Sequence, residues 1–116
     1  MTPVAELTDT FAVAGQIQPS DVAEFARQGY QVLICNRPDN EEMNQPSMDT
    51  IEAACGAAGI TLVRYPVTAM SFPGDDLAAM EDAMSGDVKT LAYCRSGARS
   101  ANLWVALWLV IYLREM

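Results

Sequence analysis

The sequence predicts an α/β fold: a mainly parallel central sheet flanked by helices. Three observations carry that prediction. Short apolar runs alternate with helical stretches throughout, and glycine or proline punctuates the junctions. The run Val32-Leu33-Ile34-Cys35 is apolar and β-branched without alternation, as in a strand buried on both faces.

Taken in order, Phe11 to Ala14 reads as a strand closed by Gly15. Pro19-Ser20-Asp21 opens a helix through Gln28, with Gly29 as its stop. Val32 to Cys35 is the second strand, and Pro38 to Pro46 is an acidic loop. Ser47 is placed to cap a helix running to about Ala58, which Gly59 ends. Ile60 to Tyr65 is the third strand and Pro66 to Pro73 a loop. A third helix is expected from Gly74-Asp75-Asp76 to Gly86, with Leu77, Met80 and Met84 at helical spacing. Thr90 to Tyr93 is the fourth strand, followed by a helix from about Ser100 to Leu113. No repeat or linker interrupts the pattern, so residues 1–116 read as one domain.

Of the 116 residues, 51% are apolar, enough for a packed core. Acids outnumber bases 15 to 7, a formal charge of -8, which disfavours nucleic acid and anionic membranes as partners. There is no histidine, so imidazole bases and histidine metal ligands are excluded; no metal or cofactor is expected. Three cysteines without a Cys-x-x-Cys pair, and an N-terminus lacking the stretches of a signal peptide, point to free thiols in a reducing cytoplasm. The longest uncharged apolar stretch, Leu103 to Leu113, is short of the ~20 residues that span a bilayer.

In parallel sheets, sites form beyond the carboxyl ends of the strands. There the stretch Cys94-Arg95-Ser96-Gly97-Ala98-Arg99-Ser100 joins a strand to a helix. A helix N-terminus presents unpaired amides and about half a positive charge, which favour an anion and lower a thiol pKa. Gly97 lets the loop curl, and Arg95 and Arg99 can grip an oxyanion through paired hydrogen bonds. Arg37 and Arg64 lie near the ends of two other strands, so four of the seven cations are expected at one edge. Cys94 and Arg99 are accordingly the candidate catalytic pair, with Arg95, Ser96, Gly97, Ala98, Ser100 and Arg37 as anion-binding residues. Cys35 and Cys55 read as core, and Asp39, Glu41 and Glu42 as a solvated loop.

Several collinear segments resemble one family: Gly15-Gln16-Ile17, Asn36-Arg37-Pro38-Asp39-Asn40-Glu41-Glu42 with Gln45-Pro46-Ser47, Tyr65-Pro66-Val67-Thr68, and Cys94 to Trp104. Over Phe11 to about Ala106 the chain resembles the beta-lactamase-hydrolase-like, phosphatase-like domain family of the cysteine-based phosphatase-like superfamily. The resemblance implies a compact dual-specificity-phosphatase-like domain. Cys94 matches its nucleophile and Arg99 its loop arginine, with Arg37 and Asp39 in a second loop motif. Tyrosine phosphatases place five residues between cysteine and arginine. Here four intervene and Ser100 takes the arginine position, a spacing that resembles rhodanese-type sulfurtransferases. Domains of the family also occur fused to persulfide-processing enzymes.

A cysteine phosphatase needs an acid for its leaving group, and none lies between Pro66 and Gly74; Asp75 and Asp76 are the nearest candidates. Sulfur transfer has no such need. The sequence therefore favours a sulfurtransferase that forms a Cys94 persulfide from thiosulfate or a small persulfide. The alternatives are a phosphatase acting on a phosphorylated substrate through a cysteinyl-phosphate, and a non-catalytic anion-binding module.

Leu103 to Leu113 is apolar all round, which calls for cover on every side. Members of the family commonly continue with a further helix. The resemblance thus implies an outer face left bare here, available for homodimerisation.

Overall fold

The computed structural model describes residues 1–116. Its central sheet has five strands: β1 (Val4–Glu6), β2 (Phe11–Ala14), β3 (Val32–Cys35), β4 (Thr61–Arg64) and β5 (Thr90–Tyr93). Their spatial order is β1-β2-β5-β3-β4, parallel throughout except for the antiparallel β1–β2 pair at one edge. The last strand in the chain is thus the middle strand of the sheet. Every residue of β5 is buried, as its unbroken Thr90-Leu91-Ala92-Tyr93 run requires.

Alternate residues feed two cores. Ala12, Leu33, Leu91 and Tyr93 face α1 (Val22–Arg27) and α2 (Met48–Ala58). Val13, Ile34 and Ala92 face Met84 of α3 (Glu81–Ser85) and Leu103, Leu107 and Ile111 of α4 (Ala98–Arg114). The result is the expected α/β architecture, with helices on both faces of the sheet.

Local chemistry sets α2 between two firm ends. The Ser47 hydroxyl accepts from the Thr50 N–H at 3.2 Å, and Asp39 Oδ1 accepts from the Met48 N–H at 2.9 Å. Gly59 ends the helix at φ 77°, a conformation that costs a residue with a Cβ more than glycine.

Three departures from the sequence reading matter. The edge strand β1 was not expected. The third helix is only a 3-10 turn over Leu77–Met80 followed by the five residues of α3. Asp75 and Asp76 lie ahead of that turn, and Asp76 makes no side-chain capping bond. Finally, α4 begins at Ala98, two residues early; its buried side chains, Leu103, Leu107 and Ile111, lie on one side. No helix is long and apolar enough to cross a membrane.

Replacing Ser47 by alanine leaves the Thr50 amide without its cap. The expected loss is about 1 kcal/mol, read as a lower urea midpoint with an unchanged slope.

Candidate active site

The Cys94–Arg99 loop is stitched to both neighbours of β5. Cys94 donates its N–H to the Ala14 carbonyl at 3.3 Å, Gln16 donates to the Arg95 carbonyl at 3.2 Å, and Asn36 donates to the Tyr93 carbonyl at 2.9 Å. Two glycines permit this seating. A Cβ on Gly15 would stand 3.0 Å from the Arg95 carbonyl, and Gly97 takes φ 95° against the Ala14 backbone.

Inside the loop, the Gly97 N–H points at Cys94 Sγ from 3.0 Å, and the sulfur belongs to a residue that is 1% exposed. Burial pushes its pKa up and is the largest single influence. Hydrogen bonds from the amides of Ser100, Ser96 and Gly97 and from the Ser100 hydroxyl outweigh it, so the thiol lies below its ordinary value. The hydroxyl's contribution is contested, because it has one proton. Ser100 Oγ also donates to Asn36 Oδ1 at 2.8 Å, and Asn36 is oriented by its own Nδ2 bond to the Tyr65 carbonyl at 3.0 Å. The backbone amides are therefore the dependable stabilisers of the thiolate. Cys35 and Cys55 behave oppositely: burial raises both thiols, Cys55 to about 11.

The arginines divide by role. Arg99 donates from Nη1 to the carbonyls of Asn36 and Val67 at 3.3 and 2.9 Å, and from Nη2 to Glu41 at 3.3 Å. Arg95 is exposed and pairs with Glu42 at 3.2 Å. Arg37, expected to bind the anion, is 2% exposed and fully engaged: Nε with Glu41 at 2.8 Å, Nη2 with Glu42 at 2.6 Å, and Nη1 with Gln16 Oε1 at 3.0 Å. It is placed as a strut beneath the loop, because the acidic segment after it curls back over its guanidinium. Arg64 also departs from the expected cluster, pairing with Asp49 and Glu52 of α2.

Glu41 and Glu42, read from sequence as solvated, are the members that sequence reasoning missed. Glu41 touches both Arg37 and Arg99, while Glu42 bridges Arg37 and Arg95. Burial pushes the Glu41 carboxyl up, but the bonds from Arg37 and Arg99 prevail and hold it below its usual range. Gln45 fixes the turn by accepting from the N–H groups of both glutamates. Asp39 serves as the second cap of α2. Three guanidiniums against two carboxylates leave this network one net positive charge.

A groove of about 700 Å³ opens beside the loop. Ser96, Ala98, Arg99 and Asn102 form its floor, with Thr68, Ala69, Phe72, Val105 and Ala106 around it. A second hollow of about 450 Å³ meets Ser96, Gly97 and Ala98 from the β1–β2 side. Asp75 and Asp76 are exposed and line neither space. The groove walls carry no carboxylate. No three His, Cys, Asp or Glu side chains are grouped so as to hold a metal.

Residues 4–108 match the family described as beta-lactamase hydrolase-like protein, phosphatase-like domain. This chain belongs to that family. A beta-lactamase hydrolase-like protein of Xylella fastidiosa is 33% identical over 102 residues, 87% of this chain and 24% of the relative. The chain thus spans about a quarter of the curated relatives it matches. A solved phosphatase candidate from Neisseria meningitidis superposes with TM-score 0.75 at 31% identity, covering 86% of this chain and 72% of its own. One from Shewanella putrefaciens reaches 0.79 at 17% identity, covering 95% and 69%. The chain also shares its fold with a solved dual-specificity phosphatase candidate from mouse, at TM-score 0.52 and 20% identity over 82% of this chain and 56% of its own.

Replacing Arg37 by methionine keeps much of the volume but removes the strut, leaving Glu41 and Glu42 facing each other. With both glutamates partly solvated, the expected cost is about 2–3 kcal/mol in chemical denaturation. A direct anion ligand predicts no such loss. Arg37→Lys should recover little of it, since one ammonium cannot hold three partners in a fork.

Proposed function

We propose that this phosphatase-like domain is a cysteine-dependent hydrolase of phosphomonoesters, with Cys94 as nucleophile and Arg99 and the loop amides as the oxyanion cradle. The observation that carries this reading is the buried sulfur, its pKa lowered by the amides at the start of α4. Membership of a phosphatase-like family and the 31% identical phosphatase candidate support it.

In the first step the Cys94 thiolate attacks phosphorus, the P–O bond to the leaving group breaks, and the oxygen departs with the bonding pair. Amides and Arg99 take up the charge of the equatorial oxygens. Water then attacks the cysteinyl-phosphate, the P–S bond breaks, and orthophosphate and thiolate are released. Because no carboxylic acid borders the groove, esters whose alkoxide or phenoxide leaves unprotonated are favoured. Asp75 and Asp76 are the remaining acid candidates and would have to approach from outside the groove.

The same missing carboxylate favours a second reading, sulfur transfer. The thiolate attacks the outer sulfur of thiosulfate, the S–S bond breaks, sulfite leaves, and Cys94 carries a persulfide for an acceptor thiolate.

Two assays on the reduced protein separate these readings, each with Cys94→Ser as control. Hydrolysis predicts vanadate-sensitive release of p-nitrophenol from its phosphate ester, falling by about 10³-fold or more in the variant, and no added mass after thiosulfate. A gain of one sulfur atom on Cys94 without phosphate release establishes sulfur transfer instead. Neither signal, with anion binding retained, leaves a binding module.

A further inference from the structure

We infer that Asn36 is a positioning residue for the nucleophile: it takes the one proton of the Ser100 hydroxyl and leaves the Cys94 sulfur to the backbone amides alone. The direction of each bond follows from what its partner can do. The Tyr65 carbonyl only accepts, so the Asn36 side chain turns Nδ2 towards it, at 3.0 Å. Oδ1 then faces Ser100 Oγ at 2.8 Å, and an amide oxygen also only accepts. The hydroxyl therefore donates to Asn36. It has no second proton for Cys94 Sγ, which keeps the amides of Ser96, Gly97 and Ser100.

The arrangement has one direction only. A turned Asn36 would set its oxygen against the Tyr65 carbonyl, and both Asn36 and Ser100 are fully buried. The Asn36 main chain is held as well. Its N–H donates to the Tyr93 carbonyl at 2.9 Å, and its own carbonyl accepts from the Val67 N–H at 3.1 Å and Arg99 Nη1 at 3.3 Å. A side chain seated this firmly dictates the rotor of a hydroxyl, whereas the hydroxyl cannot turn the amide.

The consequence bears on reactivity. A hydroxyl bond to sulfur would stabilise the thiolate further, and nucleophilicity falls as a thiolate is stabilised. Asn36 spares it that bond while the amides keep it ionised. The charged groups around the loop, Arg37, Glu41 and Glu42 after β3 and Arg95 and Arg99 in the loop itself, stay paired when only this proton is redirected. The inference rests on the reading of Cys94 as the reactive thiol, and holds for hydrolysis and sulfur transfer alike.

The pH dependence of Cys94 alkylation by iodoacetamide, followed by the mass of the Cys94 peptide, tests it. Four proteins are compared: wild type, Ser100→Ala, Asn36→Leu and the double variant. Alanine keeps the Ser100 amide and removes only a hydroxyl that already points away, so proton affinity should stay within about twofold. Leucine at 36 frees the hydroxyl for the sulfur, and proton affinity should fall by about tenfold. Ser100→Ala in that background should abolish the fall. A purely structural role for Asn36 loosens the amides instead and moves the midpoint up in both backgrounds. The wild-type midpoint tests the reading of Cys94 itself and the shifts between variants test Asn36, so the two can fail separately. Should Asn36→Leu lose its far-ultraviolet circular dichroism, Ser100→Ala decides alone. A tenfold rise in Ser100→Ala, or a midpoint in folded Asn36→Leu that rises or stays put, overturns the inference.

Discussion

A single buried guanidinium organises the edge of this domain that carries the cysteine loop. Arg37 follows β3 by two residues and is removed from solvent, so its charge demands compensation. Glu41, Glu42 and Gln16 provide it, which folds the segment after β3 into a compact turn. The turn in turn presents its carboxylates upward, where Glu41 also reaches Arg99 and Glu42 also reaches Arg95. One unavoidable desolvation cost thereby fixes the positions of two cations around the cysteine loop. Such a network is costly to break and confers position more than stability.

Above that strut, the cysteine loop relies on backbone. Its outer bonds run to Ala14, Gln16 and Asn36, so β2 and β3 hold it from either side. Its inward amides face the sulfur, where they stabilise negative charge with little reorganisation. A central strand buried on every residue makes a rigid base for this arrangement. The groove beside it is walled by small and apolar side chains, with Arg99 and Asn102 as its polar floor.

How much of this was legible depended on the range of the interaction. β2, β3, β4 and β5 and the ends of α2 follow from local signals: apolar β-branched runs, Ser47 and Gly59. The cysteine loop was legible too, because nucleophile, glycine, arginine and helix start lie within one short stretch. β1 was not, since three mostly exposed residues become a strand only by pairing with β2. Nor was the role of Glu41, whose partner Arg99 lies 58 residues away. Charge alone makes Glu41 and Glu42 look like a solvated loop, and both are exposed; that they also hold Arg37 shows only in the return of the chain onto it.

The most direct measurement is an ultraviolet titration of thiolate absorbance, wild type against Cys94→Ser. Because the folded protein binds the Cys94 proton more weakly than a free thiol does, the thiolate should persist as pH falls below the ordinary thiol range. The difference between the two proteins should then titrate at a midpoint below that of a free thiol. Cys35 and Cys55, raised by burial, should ionise only above it. A Cys94 midpoint at or above that of a free thiol would contradict the loop's assignment as a cradle for anionic sulfur.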